Sequence, residues 1–325
     1  MADERAAITR SRVNEQRKTS AAPPARARSP ASTRVLWAIA LYAASFAIFP
    51  VSDALAKRLA MRYPVAEIGA IRNAVHLAVV CGAAFFWYGA RTLRTSRPGW
   101  QALRGAVAAA ATLCMFAALR TVSLANVVTL LFVSPLFVVA LSGPMLGERI
   151  RPGQWLAVCV GLAGVALVAR PTLDGLGWGV PLAIGAAAFS ALNQVMSRRL
   201  AQTDRPLVGL FYVSLAGTVL LGGVSIFEWR APRSEDFALM IAMGAIAAVG
   251  YFGVFKAIEL ASPHRLAPFY YLQIITAVTL GYWVFAEIPD VWAMLGMAMI
   301  IGAGLVCLAL ERSRGAVTPA PPTSE

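Results

Sequence analysis

Residues 118–150, ALRTVSLANVVTLLFVSPLFVVALSGPMLGERI, lie over residues 257–289, AIELASPHRLAPFYYLQIITAVTLGYWVFAEIP, at an offset of 139. Ala118 meets Ala257, Ser123 meets Ser262 and Glu148 meets Glu287. Each copy leads through a polar turn into an apolar run of membrane-crossing length and ends that run on a carboxylate. A shorter echo, at an offset of 141, puts AKRLA (56–60) over SRRLA (197–201). The pattern reads as an internal duplication, and the number of apolar runs in each copy then decides how the halves sit in a bilayer.

Working outward, the whole chain has the same character. Its 325 residues are 58% hydrophobic and 14% charged, and the mean hydropathy is +0.66, far too apolar for a water-soluble domain. A helix needs roughly 20 apolar residues to cross ~30 Å of hydrocarbon. Such runs are expected at 35–56, 65–89, 100–119, 124–146, 153–169, 177–197, 206–227, 236–258, 265–286 and 290–310. With five per copy, the second half enters the membrane upside down. The sequence therefore predicts an all-α integral membrane fold of ten transmembrane helices in two inverted five-helix repeats, 35–170 and 171–310, flanked by tails at 1–34 and 311–325. In such proteins the substrate site tends to lie near the midplane between the halves, with access alternating as they rock.

The net charge of +13 points to orientation. Lys and Arg number 21 on the side of both tails and 7 on the other, with Arg72 left inside a span, so the positive-inside rule puts both termini in the cytoplasm of a cell whose inner membrane holds the chain. No nucleic-acid motif gathers the basic residues. The first 34 residues hold eight Lys or Arg and three acids among Ala, Ser and Pro, a composition unable to build a core. The apolar run after them is too long for a signal sequence and lacks a small-residue cleavage site, so it is expected to remain as the first span. Cys81, Cys114, Cys159 and Cys307 fall inside spans without metal or CxxC spacing and read as packing residues.

Polar residues inside the spans are the candidates for chemistry, because a buried charge in lipid costs ~2.5 kcal/mol or more and calls for a partner or a wet cavity. In EIGAIRNAVHLAVV (67–80), Arg72, Asn73 and His76 share one helix face; Arg72 is a candidate for substrate contact or gating, and His76 a candidate proton site. Asp53 and Lys57 are spaced i, i+4 for a helix ion pair, just beyond Pro50, where a kink is expected; they read either as an interfacial pair that marks the helix end or as an outer gate in which Asp53 exchanges Lys57 for Arg72, pairing with Arg72 when the outer side is closed and releasing it to the substrate when that side opens. Through the repeat, Ser134 and Pro135 correspond to Gln273 and Ile274, so Ser134 and Gln273 are expected in one central cavity. Tyr270 and Tyr271 precede Gln273, and Asn193 and Gln194 lie in the sixth span. Amides, hydroxyls and aromatic faces together suit a planar polar organic solute.

The long copies quoted above, the GVALVARP (164–171) that closes the first half and the FAEIPDVWAMLGMAMIIGAGLVC (285–307) that ends the second together resemble the EamA-type members of the drug/metabolite transporter superfamily over roughly residues 35–310. DALAKRLAMRYPVAEIGAIRN (53–73) is similar to a branch that includes riboflavin and S-adenosylmethionine carriers. The resemblance implies a small-molecule transporter of ten helices, with a riboflavin-like vitamin, S-adenosylmethionine, an amino acid or another metabolite as substrate. The chain departs from the family pattern at Ile288, where a base would follow Glu287.

Other classes fit poorly. An intramembrane protease needs paired carboxylates, HExxH or Gly-x-Ser-x-Gly, and a channel needs a ring of selectivity groups; the sequence offers none of these, so it reads as a non-enzyme. No nucleotide-binding loop is present, which disfavours an ATP-driven pump, and no cofactor is expected. The partners expected are a small-molecule substrate and the lipid bilayer. Small-residue runs such as GAVAAAATL (105–113), VGLAGVA (160–166) and GMAMIIGAG (296–304) allow close helix approach and read as packing surfaces, with a homodimer contact as the alternative use.

Overall fold

The computed structural model describes residues 30–146, 152–169, 177–201, 203–261 and 266–315. Every regular element among them is helical: α1 Pro30–Ala60, α2 Val65–Ala83, α3 Pro98–Ala118, α4 Leu124–Leu131, α5 Ser134–Leu146, α6 Pro152–Ala169, α7 Gly179–Leu200, α8 Pro206–Ser225, α9 Ser234–Leu260, α10 Leu272–Phe285 and α11 Val291–Gly315. Seven stretches are long and apolar enough to cross a membrane, and two shorter apolar helices lie at Trp155–Val168 and Val291–Val306. Large apolar side chains face outward around the bundle, as Trp283 (78% exposed) and Phe85 (72%) do. Lipid is the solvent such a surface requires. The chain is a multi-pass membrane protein.

Most expected spans coincide with one helix, but two are broken, at matching places. The fourth stops at Leu131 and resumes at Ser134, with Phe132 and Val133 held by tightened bonds to the carbonyls of Thr129 and Leu130 at 3.0 and 3.1 Å. Pro135 explains the break, since it lacks an N–H and its ring crowds the preceding turn. The ninth begins as a tight 3-10 turn, Ala267–Tyr271, with Pro268 in its first turn, before α10 takes over at Leu272. At the offset of 139 the two interruptions superpose, Phe132 on Tyr271 and Ser134 on Gln273. Pro50, by contrast, does not interrupt α1, which runs on to Ala60.

The helices of the first half pack on those of the second. α1 lies against α9 and α10, α2 against α8 and α9, α3 against α7 and α8, α4 against α10 and α7, α5 against α7, and α6 against α11. Small residues set the closest of these crossings. A Cβ on Gly244 of α9 would meet Val75 Cβ at 2.7 Å and the Arg72 carbonyl at 3.0 Å. Gly164 and Gly296 face each other's backbone, an added Cβ meeting the opposite carbonyl at 2.9 and 2.6 Å respectively. Gly164 and Gly296 thus bring α6 close to α11 within one chain. The largest core cluster, including Leu59, Ile68, Phe116, Leu130 and Met243, fills the end of the bundle that carries the α1–α2, α3–α4 and α8–α9 connections.

Candidate functional site

Between the two sets of helices lies a cavity of 740 Å³. α1 contributes Phe46, Phe49 and Asp53, α2 contributes Arg72, Asn73 and His76, and the break between α4 and α5 contributes Phe132, Ser134 and Pro135. From the second half come Asn193 and Gln194 of α7, Tyr251 of α9, and Tyr270, Tyr271 and Gln273 around the start of α10. Nine of the ten residues singled out from sequence therefore share one cavity, Lys57 being the exception. Of the four residues at the matched midspan positions, Ser134, Pro135 and Gln273 line it, while Ile274 is turned into the core, 4% exposed.

An aromatic shelf runs along one wall. The Tyr270 ring stands edge-on to Phe46 at 4.7 Å and tilts over Phe132 at 4.4 Å, and Phe132 also meets Tyr271 at 5.3 Å. Facing it are polar groups held in place by one another. Gln194 donates to Ser134 Oγ at 3.0 Å, and Ser214 Oγ lies 2.9 Å from His76 Nδ1. Ser214 Oγ is also 2.8 Å from the Leu210 carbonyl, to which it donates. The His76 ring stacks on Tyr251 at 5.2 Å. Its Nε2 and the Asn193 Oδ1 are buried and meet no hydrogen-bond partner among the described residues.

The cavity is shut at the end carrying the α1–α2 connection. Lys57 Nζ donates to the Val122 carbonyl at 3.0 Å and pairs with Glu287 Oε1, while Leu124 N donates to Glu287 Oε2 at 3.0 Å. Glu287 is aimed by Ala286, a left-handed residue (φ 53°) that turns the chain back at the end of α10. Arg120 donates to the carbonyls of Ala60 and Tyr63, both at 2.9 Å. The Tyr63 hydroxyl donates to Asp236 at 2.8 Å, and Arg230 N donates to Glu67 at 3.1 Å. At the opposite end the lining continues through Arg104, Arg198, Asp204 and Arg205. There Gln101 and Thr95 each donate to Asp204 at 2.6 Å, and Arg104 donates to Ser197 Oγ at 3.0 Å and to the Gly209 carbonyl.

Two expectations about the gate are corrected. Asp53 and Lys57 do not pair: Lys57 finds Glu287 and a free carbonyl where three connections converge, and Asp53 is left facing the cavity. Arg72 does not pair with Asp53 at the shut end either; its guanidinium lies over the Phe116 ring, 5.5 Å from the centroid. Spacing within a helix says which groups can meet but not which tertiary partners compete. Glu148, which the offset of 139 sets over Glu287, and Cys307 lie outside the residues whose side chains are described; Cys81 and Cys114 are half-buried free thiols and Cys159 is exposed. Sequence reading missed Phe46, Tyr251 and Arg104. Arg104 is 8% exposed, and its place inside the expected third span, 100–119, is the signal that could have found it.

The EamA-like transporter family model matches this chain twice, at residues 35–170 and 177–309. A riboflavin transporter of Brucella anthropi is 32% identical over 223 residues, 67% of this chain and 78% of that protein. An S-adenosylmethionine uptake transporter of Rickettsia felis is 25% identical over 268 residues, covering 80% and 88%. A solved crystal structure superposes with a TM-score of 0.59 at 22% identity, over 88% of this chain and 99% of the other, a likeness of fold. With two family matches that together span nearly the whole helical bundle, the chain belongs to the EamA-like transporter family and is a membrane transporter.

Proposed function

We propose that the chain is a secondary active transporter that carries a small, polar, flat organic metabolite across a bacterial inner membrane by alternating access, with the cavity as its transport site. The observation that carries this reading is the cavity itself, lined from both sets of helices by amides, hydroxyls and aromatic faces and closed off, among the described residues, at the end carrying the α1–α2 connection. Its size suits a metabolite, since small-molecule sites run to roughly 300–1,000 Å³. Two inverted halves, 35–170 and 171–310, are supported by the double family match and by the packing: exchanging the halves turns the α1–α9 contact into α7–α3 and returns α2–α8 and α6–α11 to themselves. Ten spans follow if α4 with α5 count as one and α10 with its leading turn as another. The broken fourth and ninth spans then sit at corresponding places, the usual mark of a binding site in inverted repeats.

The charge asymmetry of 21 to 7 supports tails inside and a shut end that faces out. Relatives named as a riboflavin transporter and an S-adenosylmethionine uptake transporter support a ringed, hydrogen-bonding substrate. The test is to fill the cavity. Gln273 is half-buried and lines it, so Gln273→Trp is expected to abolish uptake into proteoliposomes screened with labelled vitamins, nucleosides, S-adenosylmethionine and amino acids, while the melting temperature stays within a few degrees of wild type. Undiminished uptake by Gln273→Trp would remove the cavity from the transport path.

A further inference from the structure

Two opposite charges are held apart in the deep part of the cavity. Asp53 is 4% exposed and lines the cavity, yet among the described residues no donor bonds to it and no cation lies within 4.0 Å. Arg72, on the antiparallel neighbour α2, lines the same cavity. It rests on Phe116, where it too forms no ion pair among the described residues. A carboxylate taken out of water costs several kcal/mol unless something answers it. Lys57, one turn along α1, is engaged by Glu287 and cannot serve.

The surroundings say what would answer each charge. Phe49 lies one turn before Asp53 on α1 and tilts against Tyr251 at 5.0 Å; a carboxylate beside aromatic faces suits an organic cation. The planar fork of Arg72 suits a carboxylate. Net charge decides between ligand classes: Asp53 and Arg72 sum to zero, so a net-neutral ligand leaves the occluded site neutral, whereas a singly charged one leaves an uncompensated charge inside the membrane.

We propose that the cavity binds zwitterionic ligands, with the cationic centre at Asp53, the carboxylate at Arg72 and the flat or apolar remainder along Phe46, Phe132 and Tyr270. This rests on the cavity being the transport site.

Phenylalanine, phenethylamine (no carboxylate), 3-phenylpropionate (no ammonium) and riboflavin form a matched probe set for calorimetric titration of the purified protein. Phenylalanine is expected to bind at least about tenfold more tightly than either singly charged analogue, the effect of one charge-assisted bond. Asp53→Asn should erase its advantage over 3-phenylpropionate and keep that over phenethylamine, and Arg72→Gln should do the reverse. Equal affinities across the set in the wild-type protein, riboflavin binding that ignores Asp53→Asn, or no binding by the three phenyl compounds would each overturn the proposal. If Gln273→Trp still blocks uptake of some other solute, the transport site stands and only the zwitterion falls.

Discussion

Arg72→Ala is expected to reduce transport to background while leaving a folded protein. Arg72 lines the cavity, and its guanidinium lies over the face of Phe116; losing a cation–π contact costs about 0.5–2 kcal/mol, too little to unfold the bundle. Its fork of donors, in the cavity wall, is what a ligand would lose. Arg72→Lys keeps the charge without the planar geometry, so it should already lose about tenfold or more in initial uptake rate, the effect of one charge-assisted hydrogen bond. Initial rates in proteoliposomes, normalised to monodisperse protein by size exclusion, check both. Wild-type rates in Arg72→Ala would make the residue a structural clamp between α2 and α3.

Glu287→Ala should produce the larger stability effect. Its carboxylate takes Lys57 on one oxygen and the Leu124 N–H on the other, joining α1, the start of α4 and the end of α10. Removing it strands a lysine side chain that is only 10% exposed, and also frees a backbone donor. Glu287 itself is 26% exposed, so the expected loss is discounted to about 1–3 kcal/mol from the larger figure for a fully buried pair. Thermal unfolding in detergent measures it. Glu287→Gln, which keeps an acceptor, should lose less, and Lys57→Met added to Glu287→Ala should recover part of the loss because no charge is then left without a partner. An unchanged melting temperature in Glu287→Ala would show that the contact adds nothing to the shut end.

Much of this architecture was legible because membrane physics leaves few choices: each crossing must satisfy its own backbone bonds, so apolar length reads directly as helix. The cavity was legible too, in the polar residues the spans cannot otherwise tolerate; Arg72, His76, Ser134 and Gln273 all line it. What did not show was pairing across the sequence. Lys57 and Glu287 are 230 residues apart, and nothing local to Lys57 announces that Glu287 will outcompete Asp53. The helix breaks were half-visible: Pro135 and Pro268 mark them, but hydropathy runs straight through Phe132 and Val133. Phe46 and Tyr251 read as ordinary membrane aromatics until their rings are seen to face Tyr270 and His76.

Alternating access through the shut end is the central claim, and bridging that end tests it most directly. In a background with Cys81, Cys114, Cys159 and Cys307 replaced, Lys57→Cys and Glu287→Cys can be joined by a short bifunctional thiosulfonate and released by reductant. The bridged protein is expected to bind ligand from the tail side as the unbridged one does, to stop transporting, and to resume when reduced. Equal transport rates before and after reduction would contradict the account, because solute would then be crossing without that end ever opening.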